Sequence, residues 1–228
     1  SPDITKQYQM LNSLASNATL GGIALTHAHI GHYSGLLFLG KESLGAEKIN
    51  VYSMPKMSFF LKNNGPWSQL IQEKNITINE LKNDSIQNLS KYISIKPILV
   101  PHRDEFSETV GYLIKGEVKS ALFLPDIDKW EKWNKKIEDF IKNVDYAFID
   151  GTFYNGKEIP HRNMNEIPHP FVVETLERFK NLKKKDKKKV YFIHLNHTNP
   201  LLKPNNKITK EIIKRGYNIA RTGMKFDL

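Results

Sequence analysis

Cysteine is absent from all 228 residues, which excludes a disulfide framework, a thiolate metal site and a cysteine nucleophile. Any bound metal must therefore be held by histidine, aspartate or glutamate. Long apolar runs are missing too: the best, 21–25 and 146–149, fall far short of the roughly 20 residues that cross a bilayer, so no membrane span is expected. No repeat period and no Gly/Ser-rich linker interrupts the chain, and its 11 prolines and 13 glycines are scattered as punctuation rather than clustered. One domain over 1–228 is the resulting expectation, with 39% apolar residues available for a sizeable core. The opening Ser-Pro-Asp-Ile-Thr-Lys-Gln lacks the charged start and apolar stretch of a secretory leader. A processed chain would lack them as well, so the compartment stays open, as does the oligomeric state.

What is abundant is positive charge, a formal net +10. Such an excess suits an anionic partner, nucleic acid included. The plainer reading is favoured, because Lys, Asn and Ile are enriched throughout and the densest run, Lys183–Lys189 around Asp186, reads as a solvated loop between two elements.

Short β-type runs recur at 22–26, 49–53, 93–100, 110–115, 120–124, 145–149, 190–193 and 217–221. Helical periodicity covers 128–143, with Trp130, Trp133, Ile137, Phe140 and Ile141 on one stripe, and 171–182, entered through Pro168-His169-Pro170 with Pro170 in the first turn. Further helices are expected at 209–215 and, shorter, from His32 to Leu39. Strands alternating with helices, plus one hairpin at 115–119, imply a mixed α/β (α+β) layered fold.

The eight histidines stand at 27, 29, 32, 102, 161, 169, 194 and 197, and several directly follow an apolar β-like run. Gly22–Thr26 leads into His27-Ala28-His29-Ile30-Gly31-His32, and in extended chain residues two apart point the same way, so His27 and His29 can share one ion. The run 93–100 ends at Pro101-His102, 121–124 at Pro125-Asp126, and 190–193 at His194. A single strand-end histidine is more often a polar residue at a sheet edge. This combination, by contrast, matches an open catalytic zinc site of neutral imidazoles and one carboxylate, in which a bound water ionises near neutral pH.

On these residues the chain resembles a known family. Thr26-His27-Ala28-His29-Ile30-Gly31-His32 is similar to the His-x-His-x-Asp-His signature of the metallo-β-lactamase superfamily, and His102, Asp126 and His194 match its later stations in order. The segments 64–68 (Asn-Gly-Pro-Trp-Ser), 100–105, 124–130 and 194–200 resemble the branch typified by the B protein of pyrroloquinoline quinone (PQQ) biosynthesis; ribonuclease Z and phosphodiesterases of phosphonate metabolism are more distant resemblances. The resemblance implies an αββα sandwich with metals at one sheet edge. It implies His27, His29, His32, His102, Asp126 and His194 as ligands of one or two zinc ions, with iron or manganese as alternatives.

Two departures stand out. Gly31 occupies the place of the signature's aspartate, which weakens the second metal position unless Asp104, His197 or water compensates. The family also carries N-terminal strands and an early aspartate ahead of the segment that resembles Ser1–Ile4, so a longer natural chain is expected.

The leading expectation is a metallo-hydrolase in which metal-bound hydroxide attacks an ester-like or phosphodiester-like bond of a small-molecule or phosphodiester substrate. Asp126 would orient the water, and His32 and His194 would hold a second ion or serve as acid and base. His197, Asp150 and Asp104 are candidates for orienting ligands, whereas His169 reads as a turn or helix-cap residue before a cleft-lining one, and His161 is a weaker candidate still. Tyr33, Trp67, Trp130 and Trp133 read as packing. Two rivals remain: a non-haem iron oxygenase-like enzyme tied to quinone-cofactor synthesis, suggested by the carboxylate lost at Gly31, and a non-catalytic metal-binding module.

Overall fold

Parallel strands need long crossovers, and helices are what normally fill them; both kinds of segment are found in alternation. The structure, a computed structural model, describes residues 1–15, 18–161 and 163–228. These divide into two compact units, residues 1–85 with 104–110, and residues 86–103 with 111–228.

The smaller unit is built on a three-stranded parallel sheet, β1 (Gly22–Ala24), β2 (Ile49–Ser53) and β3 (Ile76–Glu80), in that order. Its helices are α1 (Ile4–Leu14), α2 (Ile30–Tyr33), α3 (Pro55–Asn63) and α4 (Trp67–Gln72), with a 3-10 turn Ser34–Leu39 completing the β1-to-β2 crossover. Pro55 sits in the first turn of α3, where its missing N–H costs nothing. Leu36, Leu39, Val51, Met57, Leu61 and Ile76 form the core. Burying each contributes roughly 1.5–3 kcal/mol. Gly22 opens β1 where a Cβ would lie 2.9 Å from the Tyr52 ring and 3.0 Å from the Asn50 carbonyl, so only glycine lets β1 reach β2 here.

The larger unit holds a seven-stranded sheet. Its strands are β4 (Gln87–Asn88), β5 (Ser94–Leu99), β6 (Val110–Lys115), β7 (Ser120–Leu124), β8 (Tyr146–Asp150), β9 (Val190–Ile193) and β10 (Asn218–Ile219), in the order β10-β9-β8-β7-β6-β5-β4. The four strands from β7 to β10 run parallel, while β6 pairs with β7 as an antiparallel hairpin. Crossovers are made by α5 (Ile137–Asn143), α6 (Val172–Arg178), α7 (Lys184–Lys187) and α8 (Lys207–Lys214). Ile127, Ala147, Ile149, Val172, Phe179, Val190 and Phe192 are its fully buried centre. The register pairs Leu124 with Ile149 and Asp150 with Ile193, so β7, β8 and β9 end side by side. In open parallel sheets this carboxyl edge is where ligands bind.

Most expected strands lie within one or two residues of those found, and 49–53, 110–115, 120–124 and 190–193 coincide. Several expectations need correction. The helix expected over 128–143 is broken into a 3-10 turn, Trp130–Lys132, and α5. Two indole anchors override the periodicity: Trp130 Nε1 donates to Thr175 Oγ1 (2.9 Å) and Trp133 Nε1 to the Leu99 carbonyl (3.0 Å). The helix entered at Pro170 starts instead at Val172, where the Glu174 carboxylate accepts from the Phe171 N–H (2.8 Å). The lysine run is no loop but contains α7, which buries Asp186 beside Lys189 at 3.5 Å. Helices α1, α3 and α4 and strands β3 and β4 lie where no element was expected. Among the described residues, no helix is long and apolar enough to cross a membrane.

Candidate metal centre

In the smaller unit, β1 continues past its last residue through a bond from Leu25 N–H to the Tyr52 carbonyl (2.9 Å), which delivers Thr26 and His27 to the sheet's carboxyl edge. His27 is 1% exposed. Its Nδ1 faces Thr26 Oγ1 at 3.1 Å, and its Nε2 lies 2.8 Å from His29 Nδ1. Two nitrogen lone pairs at that separation repel unless a proton or a cation sits between them. His29 is extended and forms the N-terminal cap position of α2, whose single turn returns His32 to within 4.3 Å of the His27 ring, centroid to centroid. The three motif histidines are thus gathered, of which the spacing had paired His27 and His29.

The loop 104–109 steadies this corner. Ser107 Oγ accepts from Ala28 N–H (2.8 Å), and Glu105 Oε2 lies 3.1 Å from His29 Nε2. Glu105, which sequence reasoning passed over, is the carboxylate that orients His29. Asp104, one of three candidates for orienting a ligand, accepts from Thr109 Oγ1 (2.8 Å), and burial pushes its carboxyl up.

In the larger unit, four segments converge. β5 leads to His102, whose side chain is 1% exposed; β7 leads to Asp126, which is 2% exposed; β9 leads to His194. His102 Nε2 lies 3.8 Å from Asp126 Oδ1, and His194 Nε2 lies 3.6 Å from Asp126 Oδ2. His194 adopts φ +58°, a left-handed conformation that histidine tolerates better than most residues but that still stores strain at this strand end.

The fourth contributor is His169, read from sequence as a turn residue and here part of the cluster. His102, Asp126 and His169 each offer a ligand atom, all within 4.8 Å of one another. The only sequence pointer was a strand-terminal aspartate, Asp150, in need of donors. Asp150 is completely buried and accepts from His169 Nδ1 at 2.7 Å, from Thr152 Oγ1 at 2.7 Å and N–H at 2.9 Å, and from Ile127 N–H at 3.2 Å. Thr152 Oγ1 in turn lies 2.8 Å from His194 Nδ1. Burial alone would raise the Asp150 carboxyl, but the charge and hydrogen bond of His169 outweigh it and hold Asp150 below the usual carboxylate range. Conversely, burial works against a charged His169, and Asp150 outweighs that and lifts the ring above the usual histidine range.

The remaining candidates fall outside these clusters: His197 and His161 are exposed. Tyr33 is buried against Phe60 and Trp67, with centroids at 5.4 and 4.8 Å, so it packs as expected. The donor chemistry, imidazole nitrogens with one buried carboxylate, suits zinc or another first-row divalent ion.

Comparison with known proteins bears on this arrangement. A family model described as a beta-lactamase superfamily domain matches residues 1–195. The coenzyme PQQ synthesis protein B of Methylobacillus flagellatus is 24% identical over 257 aligned positions, covering 98% of this chain and 80% of that protein. The crystal structure of zinc-bound PqqB from Methylobacterium extorquens superposes with a TM-score of 0.79 at 18% identity, covering 100% of this chain and 80% of that one. Unliganded yeast PDE1 superposes with a TM-score of 0.62 at 13% identity, covering 94% and 74%. At these identities the superpositions establish a shared fold.

Proposed function

Because this chain belongs to the metallo-β-lactamase superfamily, with a family model matching residues 1–195, we propose that it is a metal-dependent hydrolase acting on an ester-like or phosphodiester-like bond. The observation that carries this reading is the approach of His102, Asp126 and His169 ligand atoms to within 4.8 Å of one another, in a mixed sheet whose parallel strands β7, β8 and β9 end side by side. Support also comes from the 2.8 Å contact of His27 Nε2 with His29 Nδ1. The reading assigns His27, His29, His32, His102, Asp126 and His194 as ligands of one or two ions, zinc foremost, with iron or manganese as alternatives.

When bound, such an ion acidifies a water toward neutral pH and polarises the oxygen of the bond under attack. The chain's own residues do the rest. Asp126, acceptor-only while ionised, orients the attacking water by taking a hydrogen bond from it and accepts its proton as the new bond to carbon or phosphorus forms. His32 and His194 would hold a second ion, the departing oxygen then taking its proton from Asp126; with one ion only, a ring nitrogen of either would be the acid that protonates the departing oxygen. Burial of His27, His102 and Asp126 keeps bulk water from competing for these positions.

The test is turnover of p-nitrophenyl esters and bis(p-nitrophenyl) phosphate by the full chain, metal-stripped and then reloaded with zinc or manganese. Turnover that requires metal and falls by at least about 100-fold in Asp126→Asn is expected. No turnover with any ion would contradict the reading. A second reading is favoured by one specific observation: His102, His169 and Asp126 make a set of two histidines and one carboxylate, which suits non-haem iron(II) and oxygen chemistry. Anaerobic iron(II) loading followed by oxygen-uptake measurement separates the two, since oxygen consumption without ester cleavage sinks the hydrolase.

A further inference from the structure

The six ligands of the hydrolase reading do not include His169, although its ligand atom lies within 4.8 Å of those of His102 and Asp126. A carboxylate can only accept hydrogen bonds, so every group that Asp150 touches must donate to it. His169 Nδ1, at 2.7 Å, therefore carries the ring proton, and the nitrogen left for a cation is Nε2. The Thr152 hydroxyl has a single proton, which it gives to Asp150 Oδ1 at 2.7 Å. Its oxygen must then accept at 2.8 Å from His194 Nδ1–H, which leaves Nε2 of His194, 3.6 Å from Asp126 Oδ2, as the nitrogen to face a cation. One buried carboxylate thus sets the tautomer of two imidazoles, directly for one and through a hydroxyl for the other.

The bonds around Asp150 are also saturated. Ile127 N–H and His169 share Oδ2, and the two Thr152 groups share Oδ1, which uses the roughly four acceptor positions of a carboxylate. Such a group cannot rotate to offer itself as a ligand. Its role is to hold the two rings, and Ile127 N–H ties it to the residue that follows Asp126. Pro168 and Pro170 flank His169 and fix the backbone that presents it.

We propose that His169 is a metal ligand through Nε2, joining His102 and Asp126, and that Asp150 is the positioning residue that presents Nε2 of both His169 and His194. The ion this set takes is a first-row divalent metal that favours imidazole and carboxylate, zinc or iron(II). The inference rests on the metal-dependent reading above and adds to it a seventh side chain from a loop rather than a strand end.

Cobalt(II) titration of the metal-stripped full chain, in competition with a chelator, tests it without reference to activity. His169→Asn weakens cobalt by at least about 100-fold and removes one hyperfine-shifted, exchangeable imidazole N–H from the proton NMR spectrum. Asp150→Asn weakens it by about 10- to 100-fold, the range for residues that orient ligands, and retains the His169 ring signals. A His169→Asn protein that binds cobalt within twofold of wild type, with the full set of shifted resonances, overturns the proposal. His102→Ala separates the two levels. If it too binds cobalt like wild type, the metal-dependent reading itself fails; if it loses the metal while His169→Asn keeps it, only the role of His169 fails. Histidine-labelled ¹⁵N NMR on the wild type needs no variant to fold. Zinc shifts the Nε2 resonance of the ring whose Nδ1–H is bonded to Asp150, and an unmoved resonance overturns the assignment.

Discussion

The two units assemble their histidines in opposite ways. The smaller one places three within six consecutive residues, where a strand end and a single helical turn suffice to bring their rings together. The larger one collects His102, Asp126, His169 and His194 from four separate segments and braces them through Asp150 and Thr152, both buried. The orienting carboxylate differs in kind as well: Glu105, beside His29, is half-exposed on a loop, whereas Asp150 has no solvent exposure. A contiguous motif needs little support from the rest of the fold; a dispersed one needs a buried network to hold its geometry.

That contrast is open to attack, beginning with the largest effect. Asp150→Ala removes one partner of a buried, hydrogen-bonded pair and leaves His169 and two backbone N–H groups without an acceptor, so it lowers stability by about 3–5 kcal/mol in urea unfolding. A loss under 1 kcal/mol would show that the network braces nothing. His27→Ala deletes a ligand from the contiguous motif, and zinc retained after purification without added metal, read by elemental analysis, drops to background. Unchanged metal would remove the motif from the centre. Glu105→Gln acts through an exposed carboxylate, so its effect on zinc affinity stays below about tenfold. A larger effect would place Glu105 level with Asp150 and erase the comparison. Gly31→Asp is the mildest: a Cβ there meets nothing within 4 Å, so stability changes by no more than about 0.5 kcal/mol. The added carboxylate raises the number of zinc ions bound per chain, and an unchanged stoichiometry argues that position 31 is not what limits it.

The same contrast explains what was legible in the sequence. Strands β2, β6, β7 and β9 could be placed to the residue because buried parallel and hairpin strands are short apolar runs with sharp ends. His27, His29, His102, Asp126 and His194 stood out because each follows such a run. His169 did not, for it sits in a loop whose position depends on the chain returning to Asp150, nineteen residues away in sequence. Nothing in local spacing encodes that return. Glu105 was hidden for a similar reason, since two adjacent acids, Asp104 and Glu105, look alike until the loop's hydrogen bonds decide which one faces His29. The broken helix at 130–137 shows the converse, a clear local period overruled by the tertiary hydrogen bonds of Trp130 and Trp133.

X-ray absorption spectroscopy at the zinc edge of the full chain, loaded with a single equivalent of zinc, tests the central claim most directly. Imidazole nitrogens with carboxylate or water oxygen give a first shell at about 2.0–2.2 Å, and at least two imidazole rings contribute to the outer-shell scattering. A first shell of oxygen alone, with no ring scattering, would mean that the histidines hold no metal and would contradict the account.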